Sequence, residues 1–581
     1  MTTSPGPEMV RSSGTMLVNK TGSWRFLRPR YQDKTAPCAE ACPAGADIAR
    51  AQLLAGRGDF EQAWLRLREE NPLTGVCGCV CFHPCEAACN RGEYDEPVAI
   101  NAIERFLADR ARRADALSPV ADSAPSGKRV AVVGAGPAGI TAAHFLGRGG
   151  HEVDLYDARE EPGGLLRYAI PGYRLPLSLL RWELALALGE GVAFHPGRRL
   201  GETLRWEDLA GYDAVFVAVG AWQPRPLRVS GEAEMDDGLA LLEALRRGDT
   251  PRVEGPVAVL GGGNTALDVA RALVRLGAAP TVYYRRRVED MPAWEGELRE
   301  AREEGVRLQP LLAPVGVEKL ADGTLKLSLQ AMQVTVTPEG ERARVVPAAG
   351  APLEVRVSAV YAATGTAPDP AVAGLLRGDG ALQPAGLHLR RVVPEGVWAE
   401  RPPVFLGGDL VAQRRTVVNA VASGKEAAFV IGALLEGQEV GDRWRQASVG
   451  NQGGFSLNRA AGGDRSGRQQ HVVGYDELAT TYFAYAARSP EPRMTLEERV
   501  EGFDEIRLRM SESMAARAAE RCFHCGLCDQ CDNCFLFCPD MSVLRDLREG
   551  ERDINYDYCK GCGVCVVECP RNAMVLEEEP R

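Results

Sequence analysis

Apolar and polar positions follow different rhythms in different parts of the chain. At residues 48–54 and 60–70 the apolar side chains recur every three or four positions, and 100–117 reads as one long amphipathic helix. That spacing puts one apolar stripe on each helix, so a helical region is predicted over 36–120. From residue 129 the rhythm becomes short, uninterrupted apolar runs closed by glycine and followed by apolar helices. Such runs at 129–133 and 257–260 suit strands buried on both faces of a parallel sheet, and 151–156 and 281–284 read as their second strands. A strand-rich stretch extends to about 363. Helical spacing returns at 475–521, through Leu496, Val500, Phe503, Ile506 and Met510. Residues 118–127 are rich in Ser, Pro and Ala, and 437–475 in Gly, Arg and Gln; both read as linkers, the second extended. The chain opens with a Ser/Thr/Pro/Gly-rich lead, predicted to be mobile, and then an aromatic and basic stretch, 24–31, predicted to pack on another surface.

A chain of 581 residues is too long for one hydrophobic core. The net charge of −11, with no Lys/Arg block, argues against nucleic acid and anionic membrane surfaces as partners. The longest charge-free stretch, 130–147, carries Gly134, Gly136, Pro137 and Gly139, so a nucleotide-binding turn explains it better than a membrane span.

Cysteine placement changes the picture most. All 17 lie in three groups, at 38–89, 522–538 and 559–569, and none occurs from 90 to 521. Cysteines used as small hydrophobes would scatter. The first thirty residues lack the apolar run of an export signal, and the cysteine count is odd. Metal clusters in a reducing, cytoplasmic setting are therefore expected rather than disulfides. The tail carries Cys528-x₂-Cys531-x₂-Cys534-x₃-Cys538-Pro539 and Cys559-x₂-Cys562-x₂-Cys565-x₃-Cys569-Pro570. Three thiolates two residues apart can hold three irons of one cubane, and the fourth cysteine of each run serves the other cluster. The spacing predicts one [4Fe–4S] cluster on Cys528, Cys531, Cys534 and Cys569, and a second on Cys559, Cys562, Cys565 and Cys538. Zinc is the alternative, but zinc has no use for a third cysteine at the next x₂ step.

The run 129–133, then Gly134-Ala-Gly136-Pro137-Ala138-Gly139, then a second strand ending at Asp157, is a dinucleotide fingerprint in its required context. Gly134 turns the chain, Gly136 lets backbone approach a pyrophosphate, Gly139 lets helix and strand pack, and Asp157 can accept from ribose hydroxyls. A second copy begins Gly261-Gly-Gly263-Asn264-Thr265-Ala266, with alanine at the helix-packing position. Its second strand ends in Arg285, Arg286 and Arg287 instead of an acid, which favours NADPH over NADH, since guanidinium groups bind a 2′-phosphate and a carboxylate repels it.

The wording around these motifs resembles the glutamate synthase small-subunit family, which includes the corresponding part of dihydropyrimidine dehydrogenase. The resemblance rests on residues 42–48, 76–81, 84–89 and 95–100, and on 163–176 beside the first nucleotide turn. It implies that Cys42, Cys81 and Cys85 share a [4Fe–4S] cluster with Glu104 as fourth ligand. It also implies that the first fold holds FAD, contacted by Gly164, Leu165 and Arg167, and that 212–220, ending at Gly220, is the crossover strand. Residues 363–365 would return the chain to the FAD domain, with Gly365 placed among the NAD(P)-binding residues. Gly408 and Asp409 would bind the ribityl chain, and Thr416, Val417 and Ala420 would open a helix facing the flavin. The sequence lacks the C-x₂-C pair that precedes Cys38 in the family, and has Cys79 and Phe82 where the family tends to have Arg and Pro. Cys38, Cys77, Cys79 and Cys89 therefore stay unassigned, as do Cys522 and Cys525, which exceed what the ferredoxin runs need.

The expected fold is multidomain. A helical Fe–S domain precedes two α/β Rossmann-like domains, the NAD(P) domain inserted in the FAD domain, and an α+β ferredoxin-like domain closes the chain. The expected boundaries are an arm at 1–35, the helical domain at 36–120, and FAD segments at 127–250 and 361–436 around an NAD(P) domain at 251–360. A linker and helical arm at 437–515 and the ferredoxin domain at 516–581 follow. A flavin between a nicotinamide and clusters exchanges a hydride for single electrons, so an NAD(P)H:ferredoxin-type oxidoreductase is predicted. The cysteine-free middle excludes flavoprotein disulfide chemistry. The whole also resembles the flavoproteins that work with dissimilatory sulfite reductase and with 2-oxoacid:ferredoxin oxidoreductases. That resemblance implies a ferredoxin or such an enzyme as partner, and a homodimer or a subunit of a larger complex. Two alternatives stand beside it: a glutamate synthase small-subunit-type electron-input subunit, against which the ferredoxin tail argues, and a non-enzymatic relay, against which the intact nucleotide motifs argue.

Overall fold

The structure, a computed structural model, describes residues 18–114, 123–189, 191–335, 344–373, 382–384, 388–392, 402–412, 414–451, 453–545 and 552–580. Most of the N-terminal lead and part of the 118–127 linker lie outside them.

Two parallel sheets organise the middle of the chain. The first orders its strands as Leu382–Pro384, Arg390–Val392, Val404–Leu406, Ala214–Val217, Arg129–Val133, Glu152–Tyr156 and Val192–His195. Its four central strands are parallel neighbours, and their Val, Ala and Phe side chains are buried because helices cover the sheet. The chain leaves this sheet after Ala214–Val217 and rejoins it at Leu382–Pro384. In between it builds a second sheet, ordered Arg307–Pro310, Ala279–Tyr284, Pro256–Leu260, Ala359–Ala362 and Asp236–Asp237. A separate antiparallel sheet, centred on Leu325–Thr335, flanks the second unit. The two crossings pair with each other, Gln223–Pro224 against Thr366–Ala367.

One helix of the first unit, Val417–Leu435, is long and apolar enough to cross a membrane by composition, but most of it is buried here. It packs along Pro137–Arg148, and Gly424 permits the contact: a Cβ there would lie 2.1 Å from the Ala138 carbonyl oxygen. The same helix holds Lys425, fully buried, whose ammonium donates to Glu70 (2.7 Å) and to the Ala44 carbonyl of the N-terminal helical region.

That region packs Ile48–Gly56, Phe60–Arg68, Thr74–Val80 and Ile100–Arg113 around Trp64, Ile103 and the Phe60–Phe106 edge contact. Glu183, on a helix of the first sheet unit, accepts from the amides of Gly75 and Val76 at 2.6 and 2.7 Å and so caps Thr74–Val80 from across the interface.

Two sequence readings need correction. Residues 437–475 are not an extended linker: Val440–Ala447 and Leu457–Ala460 are helical, and Val449, Phe455 and Val473 are buried. Three of the five arginines that suggested solvent exposure, Arg459, Arg465 and Arg468, are themselves buried. Arg468 donates to Asp47 at 2.9 Å and Arg465 lies 3.8 Å from it. Burial alone would raise the Asp47 carboxyl, yet these two guanidinium groups hold it well below the usual carboxylate range. The second correction concerns 475–521, which is mostly non-helical. Only Leu496–Glu501 and Glu512–Glu520 are α-helix, and 100–117 yields Ile100–Arg113. The regular spacing at 496–510 has another cause. Phe503 packs near Tyr173, Ile506 donates its amide to the Tyr173 carbonyl (3.1 Å), and Met510 enters the N-terminal core. The chain is tied down at intervals by tertiary contacts, two of them to Tyr173, which imitates a helical stripe.

At the other end, Leu27–Tyr31 pairs antiparallel with Met574–Glu578, so the first described strand completes a sheet with the last. Arg28 and Arg30 meet Glu577 across it, and Arg25 meets Glu579.

Because Lys425 is the buried cation hydrogen-bonded to Glu70, Lys425→Met removes that partner and leaves the buried carboxylate, among the described residues, with only Arg465, at 3.6 Å, as counter-charge. The variant should unfold about 3–5 kcal/mol more easily, the range for breaking one partner of a buried pair. Chemical denaturation of the two proteins would measure it, and equal midpoints would show that the pair does not hold the two units together.

Candidate functional site

The first nucleotide turn follows from close packing. Gly134 sits at φ +109°, in the region that favours glycine, and receives the chain directly from Arg129–Val133. A Cβ on Gly139 would come within 1.8 Å of the Gly134 carbonyl oxygen, so the helix Pro137–Arg148 can sit on the strand only with glycine there. Gly136, its N-cap, has nothing within 4 Å of where a Cβ would be, and the helix N-terminus opens onto that space. A pyrophosphate fits such a cradle. Asp157 closes the loop, its carboxylate accepting from the amides of Ala135 (2.6 Å) and Arg159 (2.8 Å). Gly164 lies over the cradle, near enough that a Cβ would be 2.9 Å from the Gly136 Cα, and starts the short helix Leu165–Tyr168. Arg167, in that helix, is buried and pairs with Glu161. Gly220, at φ +73°, stands at the end of the Ala214–Val217 crossover beside Trp222.

Gly408 and Asp409 come to the same place from the far end of the sheet. The Gly408 amide donates to Ser423 (2.8 Å), and a Cβ on Gly408 would lie 3.0 Å from that of Ala138. Burial pushes the Asp409 carboxyl up to about 6, with Arg415 pulling the other way. Thr416 caps the helix Val417–Leu435 through the Asn419 amide (3.2 Å), and Val417 and Ala420 lie in its first turns. A partly buried carboxyl at the mouth of an open glycine loop suits hydroxyl donors such as a ribityl chain.

The second turn repeats the arrangement. Gly261 is at φ +147°, Gly263 faces open space and caps Asn264–Arg275, and Ala266 packs in the position of the missing glycine. Thr265 lies in the first turn of this helix. Asn264 accepts from the Trp294 amide (3.0 Å), which ties the loop after the second strand to the turn. The three arginines separate here. Arg287 is committed to Asp290 at 2.9 Å; Arg286 is partly buried; Arg285 is exposed and makes no hydrogen bond or ion pair among the described residues. Gly365 lies on the return crossing, accepting from the Arg225 amide (3.0 Å).

The cysteines gather around spaces, not around a point: among the described residues no three His, Cys, Asp or Glu side chains converge as on a single ion. Cys42, Cys81 and Cys85 surround Glu104, each within electrostatic reach of its carboxyl. Burial, then Glu86 and Glu183, push that carboxyl up to about 8. Cys77 also reaches Cys81 and Glu104, whereas Cys79 turns away, 3.9 Å from Glu505 and beside Arg105. In the tail, Cys538, Cys559, Cys562 and Cys565 line one cleft with Pro539. Cys528, Cys531 and Cys534 each lie near Cys569. Burial, then Cys559, Cys562, Cys534 and Cys538, raise the Cys565 thiol to about 12. Thiols crowded in this way ionise together only around positive charge, which iron supplies. Amides already point at the sulfurs, Ser542 at Cys538 (3.2 Å) and Ala573 at Cys569 (3.3 Å). The remaining four, Cys38, Cys89, Cys522 and Cys525, lie together elsewhere in the N-terminal core.

Sequence reasoning missed the contacts that join these sites. Cys42 and Cys81 share one apolar cluster with Val417, Val418 and Val421, the first turns of the helix that rises from the Asp409 side. His83, at φ +50° between Cys81 and Cys85, meets Trp294 edge-on at 5.0 Å, and Trp294 belongs to the second nucleotide loop. Tyr31 hydrogen-bonds Cys534 at 3.1 Å from the N-terminal strand. A lysine at 425 inside a nearly charge-free helix was a readable signal; His83 and Tyr31 carried none.

The comparisons with known proteins cover each of these parts. The pyridine nucleotide-disulphide oxidoreductase family model matches residues 128–424, just over half the chain. The model for dihydropyrimidine dehydrogenase domain II, 4Fe-4S cluster, matches 30–116, and the 4Fe-4S binding domain model matches 552–575. The beta subunit of NADP(+)-dependent formate dehydrogenase from Moorella thermoacetica is 35% identical over 69% of this chain and 60% of its own length. The beta subunit of NADPH-Fe(3+) oxidoreductase from Geobacter sulfurreducens is 34% identical over 58% of this chain and 52% of its own. The glutamate synthase [NADPH] small chain of Escherichia coli is 32% identical over 69% of this chain and 88% of its own. The chain thus spans between half and two thirds of the first two relatives. These matches assign FAD and NAD(P)H to the nucleotide folds and 4Fe-4S clusters to both ends of the chain.

The raised Asp409 carboxyl sets a pH dependence. A hydroxyl donor stabilises the ionised acid, so FAD binding should release a proton below pH about 6, and affinity should fall by up to about tenfold per unit as pH drops from there toward 4. Asp409→Ala should weaken FAD binding by about 1–3 kcal/mol and flatten that slope, as read by flavin fluorescence titration. A slope unchanged in the variant would remove Asp409 from the site.

Proposed function

The chain belongs to the pyridine nucleotide-disulphide oxidoreductase family, in its glutamate synthase small-chain-like branch, and from that premise we propose that it is an NAD(P)H:ferredoxin-type oxidoreductase. Flavin bound at the first turn would take a hydride at one end of the site and give up single electrons at the other. The protein's own part is to hold the nicotinamide nucleotide and the flavin against each other and to exclude water. The Gly134–Gly139 and Gly261–Ala266 turns would seat the two pyrophosphates. Asp157 and Asp409 would accept from the sugar and ribityl hydroxyls, and Arg285 would meet a 2′-phosphate. Cys42, Cys81, Cys85 and Glu104 would hold the cluster next to the flavin. The two tail clusters would be held as the spacing of their cysteines predicts.

The observation that carries this reading is the apolar cluster that Cys42 and Cys81 share with Val417, Val418 and Val421. It puts cluster-type thiols in the same core as the first turns of the helix over the nucleotide cradle.

The acceptor would be a ferredoxin or a dedicated redox enzyme, of the 2-oxoacid:ferredoxin oxidoreductase or sulfite reductase type. Cys531 and Cys562 are exposed, and Leu536, Phe537, Met541 and Val567 around them present uncovered apolar surface, which suits transient docking at a cluster edge. A homodimer or a place in a larger complex, and a cytoplasmic, reducing location, complete the proposal. The domain divisions proposed are those of the motifs, except that 437–521 serves as packing for the N-terminal region and not as a spacer.

Anaerobic addition of NADPH to the purified protein should bleach the visible flavin band, and a band left unbleached by both NADPH and NADH would sink the reading. Arg285→Ala should lower kcat/KM for NADPH about tenfold, about 1.4 kcal/mol, while leaving that for NADH nearly unchanged. An equal loss with both nucleotides would mean that Arg285 does not read the 2′-phosphate.

A further inference from the structure

Six thiols remain once the sets above are drawn. Cys77 and Cys79 lie in the helix Thr74–Val80; the other four are Cys38 and Cys89 in the helical region, and Cys522 and Cys525 just ahead of the ferredoxin runs. They are more than four hundred positions apart in sequence, and the fold brings them into one core.

The turn carrying Cys522 and Cys525 is fastened to the N-terminal region on both sides. Arg91 donates to the Arg521 carbonyl (2.8 Å), and Arg521 donates in turn to Asp95 (3.1 Å) and to the carbonyls of Glu96 (2.8 Å) and Pro97 (3.2 Å). On the other side the Lys34 amide donates to the Gly526 carbonyl at 2.7 Å, four residues before Cys38. Phe523 fills the space between, against Phe483 and Tyr94. Cys38 then lies within electrostatic reach of Cys522, Cys89 and Cys525, and both Cys522 and Cys525 reach Cys89.

Each sulfur also has an N–H donor beside it. The Ala39 amide faces Cys38, the Val98 and Arg91 amides face Cys89, His524 donates to Cys522 at 3.3 Å, and the Asn90 side chain donates to Cys525 at 3.5 Å. Donors of this kind are what an iron–sulfur cluster's thiolates accept and what tunes its potential. None of the four is in a disulfide.

We propose that Cys38, Cys89, Cys522 and Cys525 hold a fourth [4Fe–4S] cluster, shared between the two ends of the chain. The C-x₂-C pair missing ahead of Cys38 is supplied by Cys522-x₂-Cys525, nearly five hundred residues later. This rests on the iron–sulfur flavoprotein reading above and extends it to a path. Cys89 is one turn of chain from Cys85, across the helix Pro84–Ala87, about 6 Å at 1.5 Å per residue. Cys525 is three residues from Cys528, at most about 11 Å of extended chain. The shared site therefore lies between the cluster beside the flavin and the first tail cluster. A cluster held there would take one electron from the Cys85 side and pass one on at the Cys528 side, with the nicotinamide as donor and the final acceptor as the only other reactant.

Iron analysis and EPR on the full-length protein, prepared without oxygen, test this. Wild type should hold roughly sixteen irons per chain and the C522A/C525A double variant roughly twelve. NADPH should bleach the flavin in both. It should reduce the tail clusters only in wild type, whereas dithionite should reduce them in both. Cys79→Ala, whose thiol faces Arg105 and Glu505, should keep the wild-type count. A wild-type count near twelve, or a double variant that keeps all its iron, overturns the proposal, and the wild-type count decides the matter if the double variant does not fold. Sixteen irons with no bleaching by either nucleotide would instead defeat the proposed function and leave the fourth cluster standing.

Discussion

A buried carboxylate on the N-terminal helical region is the interaction on which the arrangement turns. Glu70 receives Lys425 from the nucleotide unit, and the Ser456 hydroxyl (2.5 Å) and Leu457 amide (2.9 Å) from the segment that follows it. Asp47, nearby, is held by Arg465 and Arg468 of that same segment. Removing such charges from water is costly and is offset only when every partner is in place. The network therefore works less as added stability than as a position lock. It leaves one way for the nucleotide unit, the helical region and the long return segment to meet.

Positioning of this kind is what electron transfer needs. A cluster site requires several thiols presented at once in a dry setting, and the proposed sites draw them from separate stretches. Cys569 and Cys538 would cross between the two tail runs, and Glu104 stands on a separate helix from Cys42, Cys81 and Cys85. At the nucleotide end the seal is apolar, with Val417, Val418 and Val421 against Cys42 and Cys81. His83 beside Trp294 adds a direct contact between the cluster loop and the second nucleotide fold. Burial, with Arg507 and Arg488 nearby, lowers this imidazole to about 3, so it is neutral at physiological pH and adds no charge beside the thiols.

Much of this was legible in the sequence where the physics is local. Glycine turns between strand and helix depend on adjacent residues, so Gly134 to Gly139 and Gly261 to Ala266 could be read directly. The tail runs could also be read, because cubane geometry sets their spacing. What failed was long-range. The arginines of 437–475 looked like a solvated linker because nothing nearby in sequence reveals that Asp47 and Glu70 await them. The 496–510 spacing looked helical because three separate tertiary contacts fell at helical intervals. The strand Leu27–Tyr31 could be read as an arm, but its partner, Met574–Glu578, lies at the opposite end of the chain.

On the proposed function, the nucleotide, flavin and tail cluster sites form one conductor within a single folded chain. Rapid mixing of the oxygen-free protein with NADPH, following flavin and cluster absorbance together, is the decisive measurement. Cluster bleaching should trail flavin reduction with a first-order rate that does not change with protein concentration. A rate that rises in proportion to protein concentration would mean that electrons reach the tail by collision between molecules, and would contradict that reading.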